Sequence, residues 1–115
     1  MQKPKRSKYN ARKTMVDGIV FDSKREAGAW VKLAALARRG VIRNLRRQVT
    51  YTLQVNGVPV CRYIADFVFN EKHNDCDCVD EWREVVADSK GMRTRDYVLK
   101  AKLMKACHGI EIREL

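Results

Sequence analysis

The chain reads as an α/β domain in which a mixed central β-sheet is flanked by two main helices. Three observations carry this reading. Two stretches, about residues 24–39 and 94–108, space their apolar residues at the helical period. Three others alternate or run apolar over strand lengths, and an Asp-Gly and an Asn-Gly pair stand between β-prone residues, the strongest short hairpin signal. At 115 residues the chain has room for one domain with a modest core.

Residues 1–13 form a basic, flexible arm carrying Lys3, Lys5, Arg6, Lys8, Arg12 and Lys13 with no acid, and residues 14–115 form the folded domain. Thr14 to Phe21 makes a small hairpin about Asp17-Gly18. Ser23 caps a helix from Lys24 to Arg39, and Gly40 ends it. Residues 41–47 are a basic connector. Gln48 to Val55 is a strand, Asn56-Gly57 turns, and Val60 to Phe69 is a longer second strand. Residues 70–81 are an acidic, polar loop at the hairpin tip, after which Trp82 to Asp88 returns as a third strand. The second helix, Thr94 to His108, repeats Tyr97, Ala101, Met104 and His108 on one face, with Tyr97 and Met104 as core residues. Ile110 and Ile112 mark a short final strand.

Composition narrows the function. With 45% hydrophobic and 33% charged residues the chain is globular, not disordered. The longest apolar stretch, Gly28 to Ala37, is broken by Lys32 and too short to span a bilayer, so no membrane partner is expected. The first residues lack the apolar stretch of a signal peptide, which implies a cytoplasmic protein with its four cysteines reduced. A net charge of +10 on so small a body points to a polyanion, most often nucleic acid. Seven of the fourteen acids fall within residues 71–88 against two basic residues, leaving about +15 on the rest. Such an acidic segment either faces away from the polyanion or holds metal.

Glu26 projects from the middle of an apolar helix stripe, sharing its face with Trp30, Leu33 and Ala37. A bare carboxylate there is costly unless paired or metal-bound. Ser23-x-x-Glu26 is also a capping box, and one residue can serve both ends. Asp66 is flanked by Ile64 and Val68 on its own face of a regular strand, where aspartate is uncommon; a strand end or bulge is the alternative. Asp88 and Lys90 share a face at the end of the next strand. Their spacing is weak evidence, because Asp22-Ser23-Lys24 matches it too. Strand context selects Asp88. Converging, these carboxylates offer hard oxygen ligands to Mg²⁺, and the ammonium can stabilise charge on a phosphorane.

The order of Glu on the first helix, Asp in a hairpin strand and Asp-x-Lys in the next strand resembles the PD-(D/E)XK nuclease superfamily. The wording is closer still to its small phage-encoded endonucleases. The stretches that carry the likeness are Lys8-Tyr9-Asn10-Ala11, Asp17 to Ala27, Tyr63-Ile64-Ala65-Asp66-Phe67 and Val86-Ala87-Asp88-Ser89-Lys90-Gly91, spread over about residues 8–108. More distantly the chain is similar to phage Holliday-junction resolvases and to the nuclease subunit of a cut-and-paste transposase. The resemblance implies a restriction-endonuclease-like core and Mg²⁺-dependent DNA cleavage, with Mn²⁺ as a substitute. It makes Asp66 and Asp88 metal ligands, joined by the Ser89 main-chain carbonyl. Glu26 holds a metal or its water, and Lys90 activates water. Related phage proteins tend to carry a glutamine where Gln48 opens its strand, to contact phosphate or a metal-bound water; a solvated glutamine is the plainer reading. Ala65 stands where the motif names proline, and the 21 residues between Asp66 and Asp88 make a long gap.

DNA is the expected partner, bound through the arm and through Arg93, Arg95 and Lys100, although a merely solvated helix face is the alternative. Further candidate partners are a second copy of the chain and a phage or host recombination or replication protein. Cys76-x-Cys78 with His73 has too short a spacer for the usual zinc site, so zinc is not expected. The rival function is a non-catalytic basic DNA- or RNA-binding accessory protein.

Overall fold

The structure is a computed structural model describing residues 13–73, 81–90 and 92–115. β1 (Thr14–Val16) and β2 (Ile19–Phe21) pair antiparallel about Asp17 (φ 52) and Gly18 (φ 75), the left-handed pair that a tight hairpin turn requires. α1 (Lys24–Arg38) begins at Ser23, whose Oγ accepts the Glu26 N–H at 3.1 Å. Its buried stripe is Glu26, Ala27 and Leu33, as the helical spacing requires. Trp30 packs between Phe21 and Phe67, with ring centroids 6.0 and 6.4 Å away, and its indole N–H donates to Asp17 Oδ2 at 3.1 Å. That one side chain ties hairpin, helix and sheet together.

The main sheet runs β3 (Ile42–Val55), β4 (Val58–His73), β5 (Glu81–Asp88), β6 (Arg113–Glu114). The first three are antiparallel and β6 is parallel to β5, so the sheet is mixed as the sequence predicts. Asn56 (φ 52) and Gly57 (φ 78) turn β3 into β4. α2 (Arg95–His108) starts at the Thr94 cap and ends at Gly109. Phe67 and Phe69 pack with Phe21, Leu33 and Ile42 under α1, whereas Val68 and Val86 pack with Tyr97 and Met104 of α2. Successive strand residues point to opposite faces, so the two helices cover opposite sides of the sheet. Among the described residues no helix is long and apolar enough to cross a membrane.

Four expectations change. Residues 41–47 are not a connector, since β3 already starts at Ile42. Their arginines lie along the strand: Arg43 stacks 4.0 Å over the Trp82 ring and Arg46 meets Glu84 at 3.4 Å, while Ile42 and Leu45 pack under α1. A charge run disguised a strand whose cations lean on cross-strand neighbours. The expected loop at 70–81 is also too long. β4 continues to His73 and pairs with β5 from Glu81, leaving 74–80, with Cys76 and Cys78, outside the described residues. At the C-terminal end, Ile110 and Ile112 fill the α2 core, and Arg113–Glu114 make the strand pairing instead.

The fourth change concerns Asp66. On β4, Tyr63 and Ala65 pack on the α2 side, but Phe67 and Phe69 of the same parity pack on the α1 side. On β3 the switch falls between Arg47, over the Phe21 ring, and Val49 on the α2 side. Gln48 and Asp66 stand at this step, between the pairs Arg47↔Phe67 and Val49↔Ala65, and Gln48 has φ 52. A left-handed residue inside a strand reverses its alternation, at a cost of about 1–2 kcal/mol for a residue with a Cβ. Asp66 therefore sits on a crease and not in a regular strand.

Candidate active site

The crease places the predicted acids. The β4–β5 ladder ends at Phe67↔Ala87, and the next step sets Asp66 opposite Asp88, with the two carboxyls within hydrogen-bonding reach. Asp88 is fully buried. Its Oδ2 accepts the Tyr63 hydroxyl at 2.5 Å, and Lys90 Nζ lies 3.3 Å from Oδ1. That Oδ1 has no aligned hydrogen-bond donor among the described residues, so the ammonium offers it charge without a well-directed bond. Lys90 is held from the other side by the Tyr97 ring, 5.5 Å from its centroid. Asp66 Oδ2 accepts the Ser89 N–H at 3.1 Å and the Ser89 hydroxyl at 3.4 Å. Ser89 thus serves Asp66 through its donors.

Glu26 reaches the same region from α1. Its Oε1 accepts Gln48 Nε2 at 3.1 Å and lies 3.7 Å from an Arg47 guanidinium nitrogen. The cap itself is made by Ser23 and the Glu26 backbone; the carboxylate is spent on β3. The left-handed turn at Gln48 belongs to the same step of β3 as this amide contact. Arg47, read from sequence as part of a connector, is the cation that offsets Glu26.

Electrostatics follow from this crowding. Burial first, then Asp66, raises the Glu26 carboxyl, and Arg47 opposes the shift. Burial also pushes Asp88 up to about 7; Asp66 adds to the rise, while the Tyr63 hydrogen bond and Lys90 oppose it. Tyr63 is raised by burial and by Asp88, so its phenol stays a donor. Carboxylates destabilised by one another are the usual condition of a site that takes a cation. Among the described residues, however, no three His, Cys, Asp or Glu side chains stand close enough together to hold an ion by themselves. Mg²⁺ needs only one or two carboxylates when waters and phosphate oxygens complete its shell, so the donor set of Asp66 and Asp88 fits it chemically.

The other predicted residues scatter. Lys3, Lys5, Arg6, Lys8 and Arg12 lie outside the described residues, and Lys13 is exposed. Arg93 pairs with Glu114 at 3.0 Å, Arg95 is exposed, and Lys100 lines a cleft beside Lys90. Cys61 and Cys107 are free and half-buried. A larger cavity of about 600 Å³ opens on the α1 side of Ser89, with Lys24, Arg25 and Lys32 among its lining residues. Tyr63 was not legible as a site residue, because it reaches Asp88 only through the crease.

The family described as "Protein of unknown function (DUF1064)" matches residues 6–113, nearly the whole chain and every residue of this cluster. The chain belongs to the DUF1064 family. No curated protein and no solved structure matches it. In this DUF1064 chain the buried acids, Tyr63 and Lys90 all lie inside the family match.

Proposed function

We propose that this DUF1064 protein is a metal-dependent endodeoxyribonuclease with a restriction-endonuclease-like core. What supports it is the meeting of Asp66 and Asp88 across β4 and β5, with Lys90 on the buried Asp88. A protein that only binds phosphates gains nothing from crowding two acids, one of them buried, beside its cations. Asp66 and Asp88 would hold Mg²⁺, or Mn²⁺ in its place, and the buried Asp88 Oδ1 without an aligned donor is an oxygen suited to that use. Bound there, the ion supplies Lewis-acid polarisation of the phosphate and an acidified water. Lys90 stabilises negative charge growing on the phosphoryl oxygens. Glu26, fixed by Gln48 and Arg47, would accept a proton from an attacking water. Ser89 keeps Asp66 from rotating away.

Cutting both strands of a duplex takes two such sites, most simply in a two-fold pair. The test uses supercoiled plasmid and a synthetic four-way junction, each with Mg²⁺, with Mn²⁺ and with EDTA. Metal-dependent nicking or junction cleavage that disappears in Asp66→Asn supports the proposal. Binding without cleavage under every condition would leave an accessory nucleic-acid-binding protein.

A further inference from the structure

A shallow cleft of about 250 Å³ lies between β4 and the first turns of α2. Arg62, Lys90 and Lys100 line it, with Asp96 as its one acid, and the buried Tyr63 and Tyr97 border it. Lys90 is the link to the acids: its Nζ is 3.3 Å from Asp88 Oδ1 and its chain emerges into the cleft. Arg46, Arg47, Arg93, Lys105 and Arg113 are each neutralised by a glutamate. Arg62 on β4 and Lys100 on α2 both line the cleft and have no ion-pair partner among the described residues. Neither phenol competes for an anion there, because Tyr63 donates to Asp88 and Tyr97 donates to Glu114 at 3.4 Å. The cleft therefore gathers cations from β4 and α2 and shares a lysine with the acids, while Tyr63 and Tyr97 stay buried, 3% and 6% exposed.

We propose that this cleft binds the phosphate of a single nucleic-acid strand adjacent to the phosphate that reacts, with Arg62 and Lys100 as its two cations. This rests on the nuclease reading above. Two cations brought to one cleft from different elements suit one anionic oxygen cluster. A flexible single strand can bend one phosphate into a cleft of this size, whereas a stiff duplex carries its phosphates along an unbending outer rim. The substrate class is thus DNA with a single-stranded segment at the site. Arg62 was invisible in the sequence as a functional residue, being one arginine among many on a strand.

Affinity is measured by fluorescence anisotropy in EDTA, so that no cleavage intervenes, with a labelled single-stranded oligonucleotide and a blunt duplex of the same sequence. The chains are wild type, Arg62→Gln, Lys100→Gln and Lys102→Gln, the last an exposed cation of α2 outside the cleft lining. Arg62→Gln and Lys100→Gln should each weaken single-strand binding about five- to tenfold and lower its salt slope by about 0.7, with Lys102→Gln within about twofold of wild type. Losses on the duplex should be smaller. Equal effects of all three substitutions, or equal losses on duplex and single strand, would overturn the proposal. A wild type that never cuts, yet binds single strands through Arg62 and Lys100, keeps the cleft and discards the nuclease.

Discussion

The Tyr63 hydroxyl donates to Asp88 Oδ2 at 2.5 Å, inside a pocket where Asp88 has no exposed surface. Tyr63→Phe removes the donor and leaves a buried carboxylate oxygen without it, which costs about 1–3 kcal/mol of stability. That hydrogen bond also holds Asp88 down, so its loss raises Asp88 further. Urea unfolding should show the destabilisation. The acid limb of the cleavage pH profile should move to higher pH, and an unmoved limb would separate Tyr63 from the reacting carboxylate.

The pH dependence of stability has a definite sign. Burial, with Asp66, lifts Asp88 from 3.8 to about 7 in the metal-free fold, and Glu26 is raised as well. Between about pH 4 and pH 7 the folded state thus keeps a proton that the unfolded chain has released. Stability from this group is highest at the acid end of that window and falls as pH rises through it. Thermal melts in EDTA from pH 4.5 to 8 should show wild type losing Tm relative to Asp88→Asn as pH increases. A widening advantage for wild type at high pH would contradict the burial described above.

Divalent metal should reverse that penalty. An ion bound only by the folded state stabilises by about 2.7 kcal/mol at one hundred times its Kd. Mg²⁺ or Mn²⁺ should raise the Tm of wild type and leave Asp66→Asn and Asp88→Asn unmoved. A metal-induced shift that persists in both variants would place the ion elsewhere.

Much of this was legible in the sequence because local rules decided it. Asp17-Gly18 and Asn56-Gly57 specify their turns, Ser23 caps its helix, and the angle of Glu26 within the α1 stripe puts its carboxylate indoors. What failed was context. Arg43, Arg46 and Arg47 read as a linker because charge resembles solvent exposure, yet each rests on an aromatic ring or a glutamate: Arg43 and Arg46 on β5, and Arg47 on Phe21 of β2 and Glu26 of α1. The crease at Gln48 and Asp66 has no sequence signal, since neither residue is a glycine. It brings Tyr63 to Asp88 and separates Phe67 from Ala65, reversing the faces expected of a regular strand. The pairing of Asp66 with Ser89 was equally hidden, because it depends on β4–β5 register.

The single-turnover rate of DNA cleavage in excess Mg²⁺, compared between wild type and Asp66→Asn, bears most directly on the site. Asparagine keeps the size and removes the charge that attracts a divalent ion. Cleavage should fall about a thousandfold or more, with Asp88→Asn and Lys90→Ala falling alongside it. Glu26→Gln should lose more activity than a capping change of about 1 kcal/mol explains. DNA binding should survive in each, and Asp22→Asn, at the decoy acid-x-Lys match, should cut almost normally. Wild-type cleavage by Asp66→Asn under excess Mg²⁺ would contradict the assignment of the reaction to this cluster.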